Sequence, residues 1–500
     1  MTIITVVKQQ QQQQEHKNIN NNPHVMVLPF PFQGHINPAL QFSKLLISKG
    51  LNVTLIISLS DHTNKTELTQ GQLGSVTLRF LRSQDINLTD EEQDRLGEFV
   101  LLEKFKRTVK KKLPEVVSEM RESGSPVACL IYDSVVPWAL GIAKEMNILG
   151  APFFTMPCAV DTIFYNYHQG EIKLRRPMDD NDKKAKIRVE GIEEVELEIQ
   201  DLPSYLHDDV DVNTPQSLTL LSDQFSNVAD ADWVFCNTFT SLEEKIVEWM
   251  GSKLKFKTVG PTIPSMYLGK QQQQPHHDDT LEDHHEYGLS LFQPQSPTRL
   301  VNWLNSQTPQ SVIYVSFGSV ATLSDKQTAE VAAALENIHR PFLWIVRKSE
   351  QEKLPPGFFT SDKSGLVVSW CSQLEVLAHK STGCFVTHCG WNSTIEALSL
   401  GVPMVGVPQF ADQPTNAKFV EDVWKVGVKV KKSELGIVRK EEIEKKIFEV
   451  MEGEKANGIR MNAEKWKSLA QAAVANGGSS DNNIQEFVAQ LTNCQLLQSF

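Results

Sequence analysis

The sequence predicts an α/β protein built from two doubly wound domains that face one cleft. The chain has 500 residues, 40% of them hydrophobic, which is too much for one core and suggests several domains. Short apolar runs alternate with helical segments in both halves, the rhythm of a parallel sheet wrapped by helices. Between the halves lies a polar, acidic, low-complexity stretch over 268–298, beginning LGKQQQQPHHDDTLEDHHEYG, that suits an exposed linker.

The elements follow in order. Residues 1–22 combine a five-residue apolar stretch with a glutamine tract, lack the long apolar centre of a signal peptide, and read as a disordered tail. The first strand is HVMVL (His24–Leu28), followed by PFPFQGH. In NPALQFSKLLISKG, Leu40, Leu45 and Leu46 fall near helical spacing. Asn37 is the expected N-cap, Pro38 fits the first turn and Gly50 the stop. Further strands are expected at VTLIISL (53–59), CLIY (129–132), 152–156 and 233–236, completing a first domain over 23–267. The rhythm resumes with SVIYVSFGS (311–319), FLWIVR (342–347), GLVVSW (365–370), GCFVTH (383–388) and PMVGVP (403–408), giving a second domain over 299–480. The amphipathic segment after it, 481–500, is expected to form a helix that packs back across the boundary.

Charge and composition narrow the function. A net charge of −12 opposes binding to nucleic acid or anionic lipid. The lysine-rich run KFKRTVKKK (104–112) reads as a solvated helix face. No apolar run reaches membrane-spanning length, so no membrane span is expected. Seven scattered cysteines without CxxC pairing suggest reduced thiols and a cytoplasmic protein. The four histidines of the linker lack preorganised geometry, so no metal site is expected there. No heptads or apolar stripes call for a partner, and a monomer is expected.

In an open parallel sheet, ligands bind outside the carboxyl ends of the strands. In the second half those ends carry Gly318-Ser319, Trp370-Cys-Ser-Gln373, His388 to Glu396, and Gln409-Phe-Ala-Asp412-Gln413. Four polar and aromatic loops on one rim point to a ligand site. After GCFVT the chain turns through Gly390 and enters a helix at Asn392 or Ser393, whose first turn offers free N–H groups to an anion. His388 and Ser393 can add donors around a phosphate. Ser393-Thr-Ile-Glu396 also matches the S-x-x-E capping box, in which Glu396 only closes the helix start, and both readings stay open on these residues alone.

The span Trp370–Gln413, with WCSQLEVLAH, GCFVTHCGWNSTIEAL and GVPMVGVPQFADQ, resembles the signature box of plant family 1 UDP-sugar-dependent glycosyltransferases. The resemblance extends to FPFQGHINP, IYDSVVPW and VSFGS, and so covers nearly all of the chain outside the tail and linker. It implies two Rossmann-like domains of the GT-B type, with UDP-glucose as co-substrate and no cofactor. Carried over residue by residue, it implies that Trp370 stacks on uracil with Gln373 beside the nucleoside. Glu396 would accept from the ribose hydroxyls, and Ser319, His388, Asn392 and Ser393 would hold the diphosphate. Trp391, Asp412 and Gln413 would face the sugar, the terminal glutamine favouring glucose over galactose.

Transfer to a hydroxyl needs a base, and histidine has the unperturbed pKa nearest neutrality. His35 lies in the loop after the first strand, and the positive end of the helix expected at Asn37-Pro38 would keep its ring neutral. Asp133, at the end of CLIY, can share that rim and orient the imidazole. The resemblance assigns the pair these base and orienting roles. The expected reaction is direct, inverting and metal-independent displacement, yielding a β-glucoside. For the acceptor, a hydrophobic plant terpenoid or phenolic with a hydroxyl or carboxyl, the apolar candidates are Phe32, Met156, Phe164, Tyr165 and Leu202. Asp-x-Asp strings at Asp180, Asp209 and Asp230 are read as chance in an acidic chain. A non-catalytic UDP-sugar binder could dispense with His35 and Asp133; an epimerase or phosphorylase would need groups for which the sequence offers no strong candidate.

Overall fold

The computed structural model describes residues 22–59, 70–82, 99–174, 180–207, 214–269, 297–358 and 365–498. Nearly all of the expected tail and linker, and Asp209, therefore lie outside the described residues.

Two sheets organise the described chain. The first has strands β1 (His24–Leu28), β2 (Asn52–Leu59), β3 (Gln70–Leu73), β4 (Val76–Arg82), β5 (Val127–Asp133), β6 (Leu149–Phe154), β9 (Val234–Cys236) and β10 (Phe256–Thr258). Their order is β10-β9-β6-β5-β1-β2-β4-β3, and only the β3–β4 pair is antiparallel. Outside it, Lys186–Val189 (β7) and Ile192–Glu198 (β8) form a separate antiparallel pair. The second sheet is wholly parallel, with β11 (Val312–Ser316), β12 (Phe342–Ile345), β13 (Gly365–Val368), β14 (Thr382–Thr387), β15 (Met404–Gly406) and β16 (Gly427–Lys429). Its order is β13-β12-β11-β14-β15-β16.

Both sheets are doubly wound about a switch point, where consecutive strands part to opposite sides. In the first sheet the switch lies between β1 and β5, in the second between β11 and β14. The central strands are apolar throughout because helices cover both faces; Val25, Met26, Val27 and Leu28 of β1 are all essentially inaccessible. The short strands β3, β10 and β16, and β4 with its two arginines, escape a reading based on apolar runs. β16 is three residues long and β3 reads Gln-Gly-Gln-Leu.

The chain crosses back at its end. Helix Ala456–Val474 packs on helix Trp391–Leu400 of the second half, and helix Ser479–Gln498 then lies against the first sheet. Phe487 is fully buried there, edge-on to Trp233 and Phe235 with centroids 5.5 and 5.0 Å away. Ser480 donates to Gly260 O at 2.6 Å, and Lys49 pairs with Asp481 at 2.5 Å. No helix among the described residues is long and apolar enough to cross a membrane. All seven cysteines are unpaired, and six of them are buried.

Because Phe487 joins the returning helix to the aromatic cluster, Phe487→Ala is expected to cost about 3–5 kcal/mol. Thermal unfolding followed by circular dichroism checks this, and an unchanged midpoint would show that the helix contributes little to stability.

Candidate active site

β1 and β5 are hydrogen-bonded neighbours with Leu28 opposite Tyr132, so the segments leaving their carboxyl ends share one rim. His35 leaves the first and Asp133 ends the second. His35 Nδ1 lies 2.7 Å from Asp133 Oδ2 and 3.2 Å from Thr155 Oγ1. The carboxylate is itself nearly inaccessible and accepts a further bond from Val135 N–H at 3.3 Å. With Nδ1 committed as donor to Asp133, Nε2 is the ring atom left toward the cavity as an acceptor.

Two local expectations are corrected here. The helix runs Gln33–Ser48 with Phe32 as N-cap, so His35 sits in its first turn and Asn37 and Pro38 lie inside. Pro38 has no N–H for the carbonyl of residue 34, which normally makes such a proline costly. Asn392 Nδ2, from the second half, donates to Gly34 O at 2.6 Å and fills that acceptor. The second correction concerns charge. Burial disfavours imidazolium at His35, but the Asp133 and Asp412 carboxylates outweigh it and its pKa is raised. Flanking acids, not the helix end, set its basicity.

The opposite rim belongs to the β11/β14 switch. β14 ends at Thr387, Cys389 takes a left-handed φ of 63°, and a helix starts at Trp391 with Gly390 as N-cap. This start is earlier than the one read from sequence. The capping-box alternative also fails, since no side chain caps this helix. Gln373 Nε2 instead donates to Ser393 Oγ at 3.0 Å and Glu396 Oε2 at 2.7 Å, while Tyr314 OH donates to Gln373 Oε1 at 3.2 Å. The first-turn amides of Asn392 and Ser393 have no intrahelical acceptor and are available to an anion.

His388 is wedged between two glycines. A Cβ on Gly318 would come within 2.7 Å of its Nε2, and one on Gly390 within 2.5 Å. Burial without a carboxylate partner lowers its pKa to about 4, so the ring is neutral near pH 7. Gly318 has φ +78°, the left-handed turn that swings Ser319 to the rim. Arg347, just past β12, donates from its guanidinium to the carbonyls of Ser319 and Ala321 and to Thr322 Oγ1. Arg347 is not among the residues named from the sequence, although it ends the apolar run FLWIVR, which points to the same rim as the other four strands.

Trp370 is half-buried at the end of β13 and lines the cavity. Trp391 also reaches it, but its indole Nε1 is committed to Asn237 O of the first half at 2.7 Å, so the ring brackets the two halves. Asp412 receives Asn416 Nδ2 at 2.7 Å and the Trp391 N–H. Burial nevertheless raises its pKa to about 6. Gln413 Oε1 accepts the amides of Gln409 and Phe410 at 2.8 and 3.1 Å, leaving its Nε2 as the available donor.

His35, Ser319, Trp370, Gln373, His388, Trp391, Asn392, Ser393, Glu396, Asp412 and Gln413 line one cavity of about 1300 Å³ between the halves, while Asp133 lies behind the imidazole and outside its wall. Phe32 and Met156 are also in its wall. Three other expected acceptor contacts are not. Phe164 and Leu202 are fully buried in the core, and Tyr165 packs edge-on against Phe225 and Trp249. The helix Cys158–His168 turns these two aromatic residues into the fold, where periodic apolar positions usually go. The cavity uses Tyr205, Leu220, Leu221, Met266 and Val301 instead, which carry no local motif. Among the described residues, no group of three or more His, Cys, Asp or Glu is placed to hold a metal ion.

Comparison with known proteins bears on this geometry. Residues 290–464 match the family model described as UDP-glucoronosyl and UDP-glucosyl transferase. The chain is 45% identical over 473 residues to mogroside I-E synthase of Siraitia grosvenorii, covering 94% of this chain and 98% of that protein. It is 45% identical over 467 residues to UDP-glycosyltransferase 74E2 of Arabidopsis thaliana, covering 93% and 98%. The crystal structure of Os79 from O. sativa in complex with UDP superposes with a TM-score of 0.81 at 36% identity, over 93% of this chain and 100% of that one. Identity of this extent, joined to two doubly wound sheets about a shared cleft, makes the chain a UDP-glycosyltransferase, a member of the UDP-glucoronosyl and UDP-glucosyl transferase family in its plant branch.

Proposed function

We propose that the protein is an inverting glucosyltransferase that moves glucose from UDP-glucose to a hydroxyl or carboxyl of a hydrophobic small molecule, giving a β-glucoside or glucose ester. The observation that carries this reading is the opposition of the His35–Asp133 pair to an open helix start, joined across the cleft by the Asn392–Gly34 bond.

In this mechanism the acceptor oxygen attacks C1 of the α-linked sugar from the face opposite UDP. His35 Nε2 takes the acceptor proton, and Asp133 holds the tautomer and stabilises the imidazolium that forms. The diphosphate leaves with its bonding pair toward the amides of Asn392 and Ser393, neutral His388 as an N–H donor, and Ser319. Preorganised donors of this kind, aimed where charge develops, are often the largest catalytic contribution. Trp370 and Gln373 serve the nucleoside, Glu396 the ribose, and Trp391, Asp412 and Gln413 the hexose. Gln413 at the end of the signature box favours glucose.

Size and lining support the acceptor class. The cavity of about 1300 Å³ exceeds the roughly 300–1,000 Å³ of an ordinary ligand pocket, in keeping with two substrates bound together. Four of the large apolar side chains left exposed, Phe32, Met266, Val301 and Val320, belong to its lining. Among relatives, one is named mogroside I-E synthase, and Os79 has been crystallised with a trichothecene. A terpenoid acceptor fits these precedents. Unpaired cysteines are in keeping with a cytoplasmic setting.

His35→Ala is expected to cut turnover of an alcohol acceptor about 10²–10⁴-fold while UDP affinity, measured by calorimetry, is retained. A carboxylic acid acceptor, already ionised, is expected to lose much less. Equal losses on both acceptors would remove His35 as the base.

The raised pKa of His35 fixes the sign of the pH response. A base works deprotonated, so activity on alcohols is expected to fall with acid along a limb lying above pH 6.5. Asp133→Asn removes the main cause of the upward shift, and the limb is expected to move to lower pH with a reduced plateau. A pH profile of kcat/KM for both proteins checks this; an unmoved limb would assign the titration to another group.

A further inference from the structure

Leu202, expected from the sequence to touch the acceptor, belongs to the segment DLPSYLH (201–207), whose residues do something else. Leu202 and Leu206 are buried in the core, while Asp201 and Ser204 turn toward the second half and are each only 3% exposed. Ser204 N–H donates to Ala411 O at 2.8 Å, and Ala411 N–H donates back to Ser204 Oγ at 2.8 Å. Three residues upstream, Asp201 O accepts Thr415 Oγ1 at 2.7 Å, and its carboxylate accepts Lys429 Nζ at 2.7 Å. Lys418 approaches the same carboxylate at 3.6 Å.

This clamp closes on an unusual piece of backbone. Ala411 has φ +57°, the left-handed region that residues with a Cβ rarely adopt. The next two residues are Asp412 and Gln413, assigned above to the hexose. Within the second half, the loop is tied by Gln413 Oε1 to the amides of Gln409 and Phe410 and by Asn416 to Asp412. None of those bonds reaches Ala411 itself. Both backbone groups at the strained residue are satisfied by Ser204, a residue of the other sheet's half.

We propose that Ser204, supported by Asp201, is a positioning residue for the hexose end of the donor. The acceptor half holds Ala411 in its left-handed turn and thereby sets the direction in which Asp412 and Gln413 meet the sugar. Tyr205, adjacent to Ser204, lines the cavity, so the clamp also joins the acceptor wall to the sugar loop. Through its hydrogen bonds and ion pairs the clamp reaches Ala411, Thr415, Lys429 and Lys418, residues other than those assigned to the nucleoside and diphosphate. Its loss should therefore weaken recognition of the hexose and spare UDP. The proposal rests on the assignment of Asp412 and Gln413 to the sugar.

The test compares binding of UDP and of UDP-glucose to the full chain by calorimetry, with initial rates on UDP-glucose and its C4 epimer UDP-galactose. In Ser204→Ala the Ala411 amide loses its acceptor. Affinity for UDP-glucose is expected to fall about three- to tenfold, the range of one net hydrogen bond, with UDP affinity unchanged and the glucose-to-galactose rate ratio reduced. Ser204→Thr, which keeps the oxygen, is expected to restore the ratio. Lys429→Met, which removes the partner of Asp201, provides the same comparison should Ser204→Ala fold poorly. Unchanged UDP-glucose affinity and rate ratio, or an equal loss for UDP and UDP-glucose, would overturn the proposal. Gln413→Ala separates the two readings. If it leaves UDP-glucose binding intact, the sugar assignment itself is wrong and the clamp has no substrate to position. If it weakens UDP-glucose while Ser204→Ala does not, only the clamp fails.

Discussion

The Asn392–Gly34 hydrogen bond is the constraint that ties the two rims of the cleft together beside the candidate base. Pro38 leaves a helical carbonyl in the first half without its intrahelical donor, and an amide from the first turn of a helix in the second half supplies it. The two partners flank the chemistry directly. Gly34 precedes His35, and Asn392 belongs to the proposed diphosphate site. A bond of 2.6 Å between them holds the candidate base and the candidate leaving-group site at a set separation. The proline that would ordinarily weaken a helix creates the acceptor that joins the halves.

Electrostatics divide the two cavity histidines. His35 lies against Asp133 with Asp412 nearby, and its pKa is raised despite burial. His388 sits between Gly318 and Gly390 with no carboxylate partner, and its pKa falls to about 4. Groups whose environments push their pKa values apart mark opposite roles in acid–base chemistry. One ring suits proton uptake from an acceptor, and the other suits donation to an anion while staying neutral. The raised pKa of Asp412 fits a group that burial disfavours as an anion and that neighbouring donors only partly relieve.

A continuous apolar cluster spans the halves, and side-chain donors of the second half add hydrogen bonds to backbone carbonyls of the first. Trp391 donates to Asn237 O, Trp424 to Leu242 O and Thr415 to Asp201 O. Such bonds depend on direction more than ion pairs do, so they specify a relative orientation as well as an attachment. Helix Ser479–Gln498 adds apolar area on the far side, against Trp233 and Phe235.

The sequence by itself determined the fold class, the order of the central strands' motifs and the strand-end loops of the second half that line the cavity, because apolar runs and rim motifs are local patterns. From such patterns the sequence marked Gln373, His388, Glu396 and Gln413 as rim candidates, whereas His35 and the role of each of the five came from the family resemblance. It misjudged the starts of the helices at Gln33 and Trp391, since Asn37-Pro38 and Ser393 carry strong local signals that a contact across the cleft and a glycine turn override. It also sent Phe164, Tyr165 and Leu202 to the pocket, because an apolar residue in a loop or helix looks the same whether it faces a core or a cavity. Only the tertiary structure decided the sign of the His35 shift, the service of Asp201 and Ser204 to the opposite half, and the lining of the acceptor wall. The first two are set by groups 90 or more residues apart in sequence, for which no local periodicity exists.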